Sequence, residues 1–195
     1  NIIKRQDIVS IVKKMKKDFP IVIDEAMKVT SYGSLLKVCK DLLHEKIPII
    51  DMLTIIEAIA DIAEFTNAPE ILLEHVRAKL YRLITQKFKD TDGILHIVTI
   101  KPELEQQFIG KLQEHHGVSQ LMISIAEINN LVTKTKKLLD DIEAKGFSKV
   151  IMVVDPVLRK RISEIYEKFG LQVSVLSHAE LDSKANFAIE GTLEF

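Results

Sequence analysis

"KVIMVVDPVLRKRISEIYEKFGLQVSVLS", residues 149–177, decides the architecture of half of this chain. Its first seven residues are an apolar run of the length of a buried strand, closed by Asp155 and Pro156, which suit a helix N-cap and first turn. Leu158, Ile162, Ile165 and Phe169 then recur at helical spacing, and Gly170 ends the helix. "QVSVLS" (172–177) alternates as a second strand. A strand, helix and strand in such short order predict a parallel pair with a right-handed crossover.

Working outward, "LHIVTI" (95–100) reads as a strand and 102–115 as a helix with Leu104, Phe108 and Leu112 inward. Residues 124–145 read as a longer helix stopped by Gly146, and "NFAIEGTLEF" (186–195) as a last strand. The second half is thus a small α/β layer in the order β-α-α-β-α-β-β. The first half carries only helical rhythm, over 5–19, 20–29, 31–45, 51–65 and 68–88, the last with Asn67 as cap and Pro69 in its first turn. "KFKDTDGIL" (87–95) is the clearest break. The expected organisation is mixed α+β: a terminal helix in 1–19 belonging to an upstream subdomain, a helical subdomain in 20–93, and an α/β subdomain in 94–195. In the helical part "IIDMLTIIEAIADIAEF" (49–65) is apolar nearly all round, with Asp51, Thr54, Glu57, Asp61 and Glu64 on one narrow edge, as a central strut would be.

Composition bounds the function. With 195 residues, 47% hydrophobic, 28% charged and a net charge of -1, the chain can bury real cores and has no bulk basic field to draw it to nucleic acid. No run approaches the roughly 18–20 apolar residues of a membrane span. Cys39 is the only cysteine and sits on an apolar helical face beside Leu35 and Leu36, where it reads as packing. The chain opens without Met and already in helical rhythm, so we expect a fragment of something longer.

Searches for chemistry fail one after another. Glu57 and Asp61 are near enough in sequence for an acid and base pair, but a solvated stripe leaves both ionised. Asp155, Ser177 and His178 lie at strand ends where open α/β sheets place ligands, yet no G-x-S-x-G elbow accompanies them and Asp155 is explained as a cap. His115 and His116 are adjacent, and "HEKIP" at His44 lacks a second histidine, so neither has metal-ligand spacing. Neither glycine-rich nucleotide loop occurs. Lys13, Lys14, Lys16 and Lys17, and the run Arg159, Lys160 and Arg161, read as solvated helix faces. No cofactor or metal is expected, and function must come from surfaces. A small α/β enzyme with a helical attachment, using Asp155, Ser177 and His178, is the rival reading.

"LLHEKIPIIDMLTIIEAIADIA" (42–63) resembles a segment of the flagellar type III export-gate family and its virulence-secretion relatives, the FlhA, LcrD and InvA family. "RQDIVSIV" (5–12), "IVTIKPELEQ" (97–106), "VLSHAEL" (175–181) and "FAIEGTL" (187–193) match in the same order, so the resemblance spans the chain. Ile50 departs from it, standing where the family often has Arg, and Ile8 stands where some relatives have Thr. "YRLITQKF" (81–88) is nearer to flagellar than to virulence versions. The resemblance implies the C-terminal part of the gate's cytoplasmic domain, on the cytoplasmic face of the bacterial inner membrane and joined to it by an upstream segment. It implies a homo-oligomeric ring that docks export substrates, chaperone-substrate complexes and other export-apparatus proteins, helps order secretion, and performs no covalent chemistry. Of the present residues, the first helix would reach the chaperone-binding hollow, which makes Arg5, Gln6, Asp7 and Ile8 the candidate rim.

Overall fold

The computed structural model describes residues 2–195. Two compact units emerge, one running to Leu80 and one from Tyr81 to Phe195. The first is all helical, with α1 (Arg5–Asp18), α2 (Pro20–Val29), α3 (Tyr32–His44), α4 (Met52–Ala63) and α5 (Pro69–Lys79). Helix α4 packs on α2 and α5, while α1 packs on α2 and α3. Its buried face, including Met52, Ile55, Ile56 and Ile59, removes apolar surface at about 1.5–3 kcal/mol per fully buried large side chain. Thus α4 is the strut that its periodicity implies, although Ile50 and Phe65 at either end are exposed.

Local chemistry sets the helix ends. Ser31 caps α3 by accepting from Ser34 N–H (3.1 Å). Asp51 caps α4, accepting from Thr54 N–H (3.3 Å) and from the Thr54 hydroxyl (2.7 Å). After α3 the chain turns with Lys46 at φ 65°, and Ile47 N–H returns to Leu42 O while Lys46 N–H returns to Leu43 O. That is a Schellman closure with lysine in the place usually held by glycine. It sets Glu45 beside buried Arg77 of α5, 2.7 Å apart, which ties the end of α3 to α5. Cys39 is fully buried and its thiol is pushed up to about 12 by desolvation, which makes it inert packing.

The second unit contains α6 (Tyr81–Phe88), β1 (Ile94–Ile100), α7 (Pro102–Ile109), β2 (Leu112–His115), β3 (Val118–Leu121), α8 (Ile125–Ala144), β4 (Val150–Val154), α9 (Pro156–Lys168), β5 (Ser174–Ser177), a single 3-10 turn (His178–Glu180) and β6 (Asn186–Leu193). Among the described residues the main sheet has four strands in the order β5-β4-β1-β6, each neighbouring pair parallel. Register runs through Ile97 with Ile151 and Val153 with Leu176. The mixed fold class and the parallel β4-α9-β5 unit are therefore as read from residues 149–177. The core beside the sheet gathers Val98, Met152 and Val154 from the strands with Phe108, Leu131, Leu158 and Ile162 from α7, α8 and α9. Tyr166 lies within it, its hydroxyl 2.8 Å from Thr135 Oγ1 and 3.1 Å from Met152 Sδ, and burial pushes its phenol well above the usual value.

Three local readings are corrected. The single helix expected over 68–88 breaks at Leu80, whose N–H is shared between Val76 O and Arg77 O, and α6 joins the sheet-bearing unit. The cap of α5 is Ala68 rather than Asn67. The helix expected over 102–115 ends at Ile109, and residues 112–121 form a hairpin whose turn places His116 at φ 52° and Gly117 at φ 78°. Two successive positive φ values are what a two-residue type I′ hairpin demands.

Candidate functional surface

The candidate rim sits on the first turn of α1. Asp7 Oδ2 accepts from Lys4 N–H (2.8 Å), which satisfies one of the donors left open at the helix start. Arg5, Gln6 and Asp7 are exposed, whereas Ile8 is 0% exposed and packs into the core with Val12. A side chain so placed can support the rim but cannot touch a partner, so any contact falls to the three polar residues. Arg5 lies across the first turn of α3: a methyl group added at Gly33 would come within 3.1 Å of its guanidinium nitrogen. The result is a polar, chargeable turn held over α3. Further along α1, Lys16 pairs with Asp24 of α2 at 2.9 Å, both half-exposed, and the Asp24 carboxylate raises the lysine pKa.

The alternative chemistry does not assemble. Val154 pairs with Ser177, so Asp155 and Ser177 end neighbouring strands as expected. Asp155, however, is occupied as the cap of α9, accepting from Val157 N–H (3.0 Å), while its own N–H donates to Glu105 (3.1 Å). Ser177 is buried and His178 exposed, and no hydrogen bond or ion pair joins the three side chains. His115 and His116 stand on the hairpin with their rings 4.2 Å apart, and among the described residues no group of three or more His, Cys, Asp or Glu is placed to hold a metal ion. Glu57, Asp61 and Glu64 are exposed on the outer edge of α4. At the amino ends of β4 and β5 an open cleft of about 560 Å³ is lined by Lys136, Asp140, Glu143, Phe147 and Leu171 among others. Its lysine is already paired with Asp140 at 2.9 Å.

The basic run on α9 is not the solvated face its charges imply, and the Arg161 side chain is only 12% exposed. Arg159 is fully buried rather than solvated, with Nε 3.3 Å from Glu180 Oε1 and a terminal nitrogen donating to Val175 O (3.4 Å). Its partner lies in the 3-10 turn after β5, so no local spacing announced it. The pair fastens α9 to the end of β5.

The FHIPEP family model matches residues 1–186. The flagellar biosynthesis protein FlhA of Helicobacter pylori strain J99 is 40% identical over 192 residues, covering 98% of this chain and 26% of the relative. This chain therefore spans about a quarter of the length of that relative. Among solved structures, nonameric SctV-C of enteropathogenic Escherichia coli superposes with TM-score 0.86 at 19% identity, covering 98% of this chain and 57% of that one. Chlamydia pneumoniae CdsV, solved as a complex with CdsO, superposes with TM-score 0.84 at 21% identity, covering 98% and 56%. At these identities the two structures establish the shared fold. The family match along nearly the whole chain, joined to the flagellar relative's 40% identity, shows that this chain belongs to the FHIPEP family.

Proposed function

We propose that this chain is the C-terminal part of the cytoplasmic domain of a flagellar type III protein export gate, acting as a docking and ring-forming platform without covalent chemistry. The observation that carries the reading is the 40% identity to a flagellar relative across 98% of the chain. The solved neighbours supply the rest by analogy: one is nonameric and another is complexed with a second protein, so self-association and contact with other export-apparatus proteins are carried over to this chain. Export substrates and chaperone-substrate complexes are the proposed cargo, with Arg5, Gln6 and Asp7 contributing a polar part of the rim and Ile8 holding it from the core. Among the described residues no helix is long and apolar enough to cross a membrane. Attachment to the inner membrane would run through sequence corresponding to the part of the relative that this chain does not match. A flagellar rather than a virulence gate is proposed because the 40% identical relative is flagellar, whereas the virulence proteins above are similar in fold alone.

A chimera tests it. Residues 1–195 replace the matching C-terminal part of the Helicobacter pylori relative in a strain lacking its own copy, and export of flagellar substrates is measured. Export restored above the level of a truncation ending before residue 1 supports the platform. A chimera made at normal levels that exports no more than the truncation refutes it.

A further inference from the structure

A buried histidine in the second unit stands outside everything so far described. His96, on β1, is 7% exposed, and each of its ring nitrogens faces a carboxylate: Nε2 lies 2.6 Å from Asp90 Oδ2 and Nδ1 lies 3.0 Å from Glu190 Oε1. Two ionised carboxylates accept and do not donate, so both contacts are hydrogen bonds only when the ring carries two protons. Among the described residues the ring has no ion-pair partner besides Asp90 and Glu190. The segment between α8 and β4 gives Phe147, stacked on the imidazole at 4.4 Å, and β4 gives Val150. The nearby Lys149 ammonium donates to Lys89 O (3.3 Å).

The two carboxylates are not equally held. Asp90 also accepts from Ile94 N–H (2.9 Å) and Asp92 N–H (2.8 Å), which lock it into the turn before β1. Glu190 has no other hydrogen-bond or ion-pair partner among the described residues. It is moreover the extra residue of a β-bulge, since Ile97 pairs with Ile189 and Val98 with Gly191. Bulges re-aim side chains, and this one points a carboxylate inward from the edge strand β6. A neutral imidazole has one proton to give. Asp90 holds it by the shorter contact, which leaves the Nδ1 lone pair facing Glu190.

We infer that His96 is a proton-operated latch on β6: doubly protonated it holds the Glu190 bulge against β1, and on losing a proton it releases Glu190 while the Asp90 turn stays closed. The hydrogen bonds to Glu190 and Asp90 raise the imidazole pKa above its ordinary 6.5 against an opposing effect of burial, so release falls above that ordinary value. The strand affected is the sheet edge carrying Phe187 and Ile189, each 59% exposed, so the proton sets the shape of an apolar edge.

The test is nuclear magnetic resonance of the 195-residue chain from about pH 5 to pH 9, following the His96 ring nitrogens and the backbone amides of β6 and of the 90–94 turn. The latch requires a His96 midpoint above 6.5, with the Glu190 and Gly191 amides moving at that same midpoint and the turn amides still. In Glu190→Gln, whose side-chain oxygen can still accept from Nδ1, the His96 midpoint falls and the β6 movement at that midpoint disappears. A parent midpoint at or below 6.5, or β6 amides that ignore the His96 transition, overturns the inference. So does β6 movement that survives in a folded Glu190→Gln.

Discussion

Ile59→Asp is the sharpest probe of the helical unit. Ile59 is 0% exposed on the face of α4, the helix packed against α2 and α5. Truncating a buried isoleucine costs roughly 2–5 kcal/mol. Burying the new polar group without a partner adds about 1–3 kcal/mol. The total of about 3–8 kcal/mol is a large part of the roughly 5–15 kcal/mol that holds a typical domain folded, so the urea midpoint should fall sharply at neutral pH. Urea titration followed by far-ultraviolet circular dichroism reads the loss. Ile59→Val serves as the size control at about 0.5–1.5 kcal/mol, and Glu64→Lys at the exposed acidic edge as the surface control within about 0.5 kcal/mol. The sign with pH is also set. Desolvation raises the folded-state pKa of the introduced carboxyl above its unfolded value, so its cost grows as pH rises through that interval and shrinks in acid. A variant whose urea midpoint equals that of the parent at neutral pH refutes the placement of α4.

Other outcomes follow from single contacts. Glu180→Ala removes the carboxylate beside the fully buried Arg159 guanidinium and should cost about 3–5 kcal/mol; Arg159→Met combined with Glu180→Leu should recover most of that in a urea melt. At Gly191 an added Cβ would meet Leu138 Cδ1 at 2.6 Å and Cγ at 3.1 Å, so Gly191→Val should destabilise by about 1–3 kcal/mol through overpacking, with Leu138→Ala returning part of it. For the parent, His96 contributes stability that is complete below 6.5 and lost as pH rises through its higher folded value. Asp90, lowered chiefly by the Ile94 N–H and then by His96, contributes stability present above 3.8 and lost as pH falls through its lower folded value. The stability gap between parent and His96→Gln in urea melts should therefore be widest between those limits and narrow in alkali; a gap that widens with pH contradicts the ionic trio.

The sequence was legible where chemistry is local. An apolar run, Asp155 with Pro156, and Gly170 announce β4, α9 and its end within about twenty residues, and the parallel pairing follows from the helical crossover between the two strands. The hairpin was lost because Leu104, Phe108 and Leu112 keep helical spacing across the end of α7, and only His116 with Gly117 marks the turn. The break at Leu80 has no Gly or Pro to mark it, and Leu72, Val76, Leu80 and Ile84 keep a four-residue rhythm through it. Charge misleads in the same way. Arg159 stands in a basic run, yet its neutralising carboxylate comes from beyond the next strand, and His96 meets Glu190 only because β6 returns beside β1. At the candidate rim Arg5, Gln6 and Asp7 are exposed, while Ile8, one residue on, faces the core as the α1 periodicity with Val12 requires.

Binding is the most direct trial of the platform. On the proposed reading, the cytoplasmic region of a flagellar gate carrying this chain would be titrated calorimetrically with flagellar chaperone-substrate complexes, as the parent and as Arg5→Glu with Asp7→Lys. Saturable binding by the parent, weakened in the folded double variant, is the predicted result. Heat from neither complex nor free chaperone with a correctly folded parent would contradict a docking role.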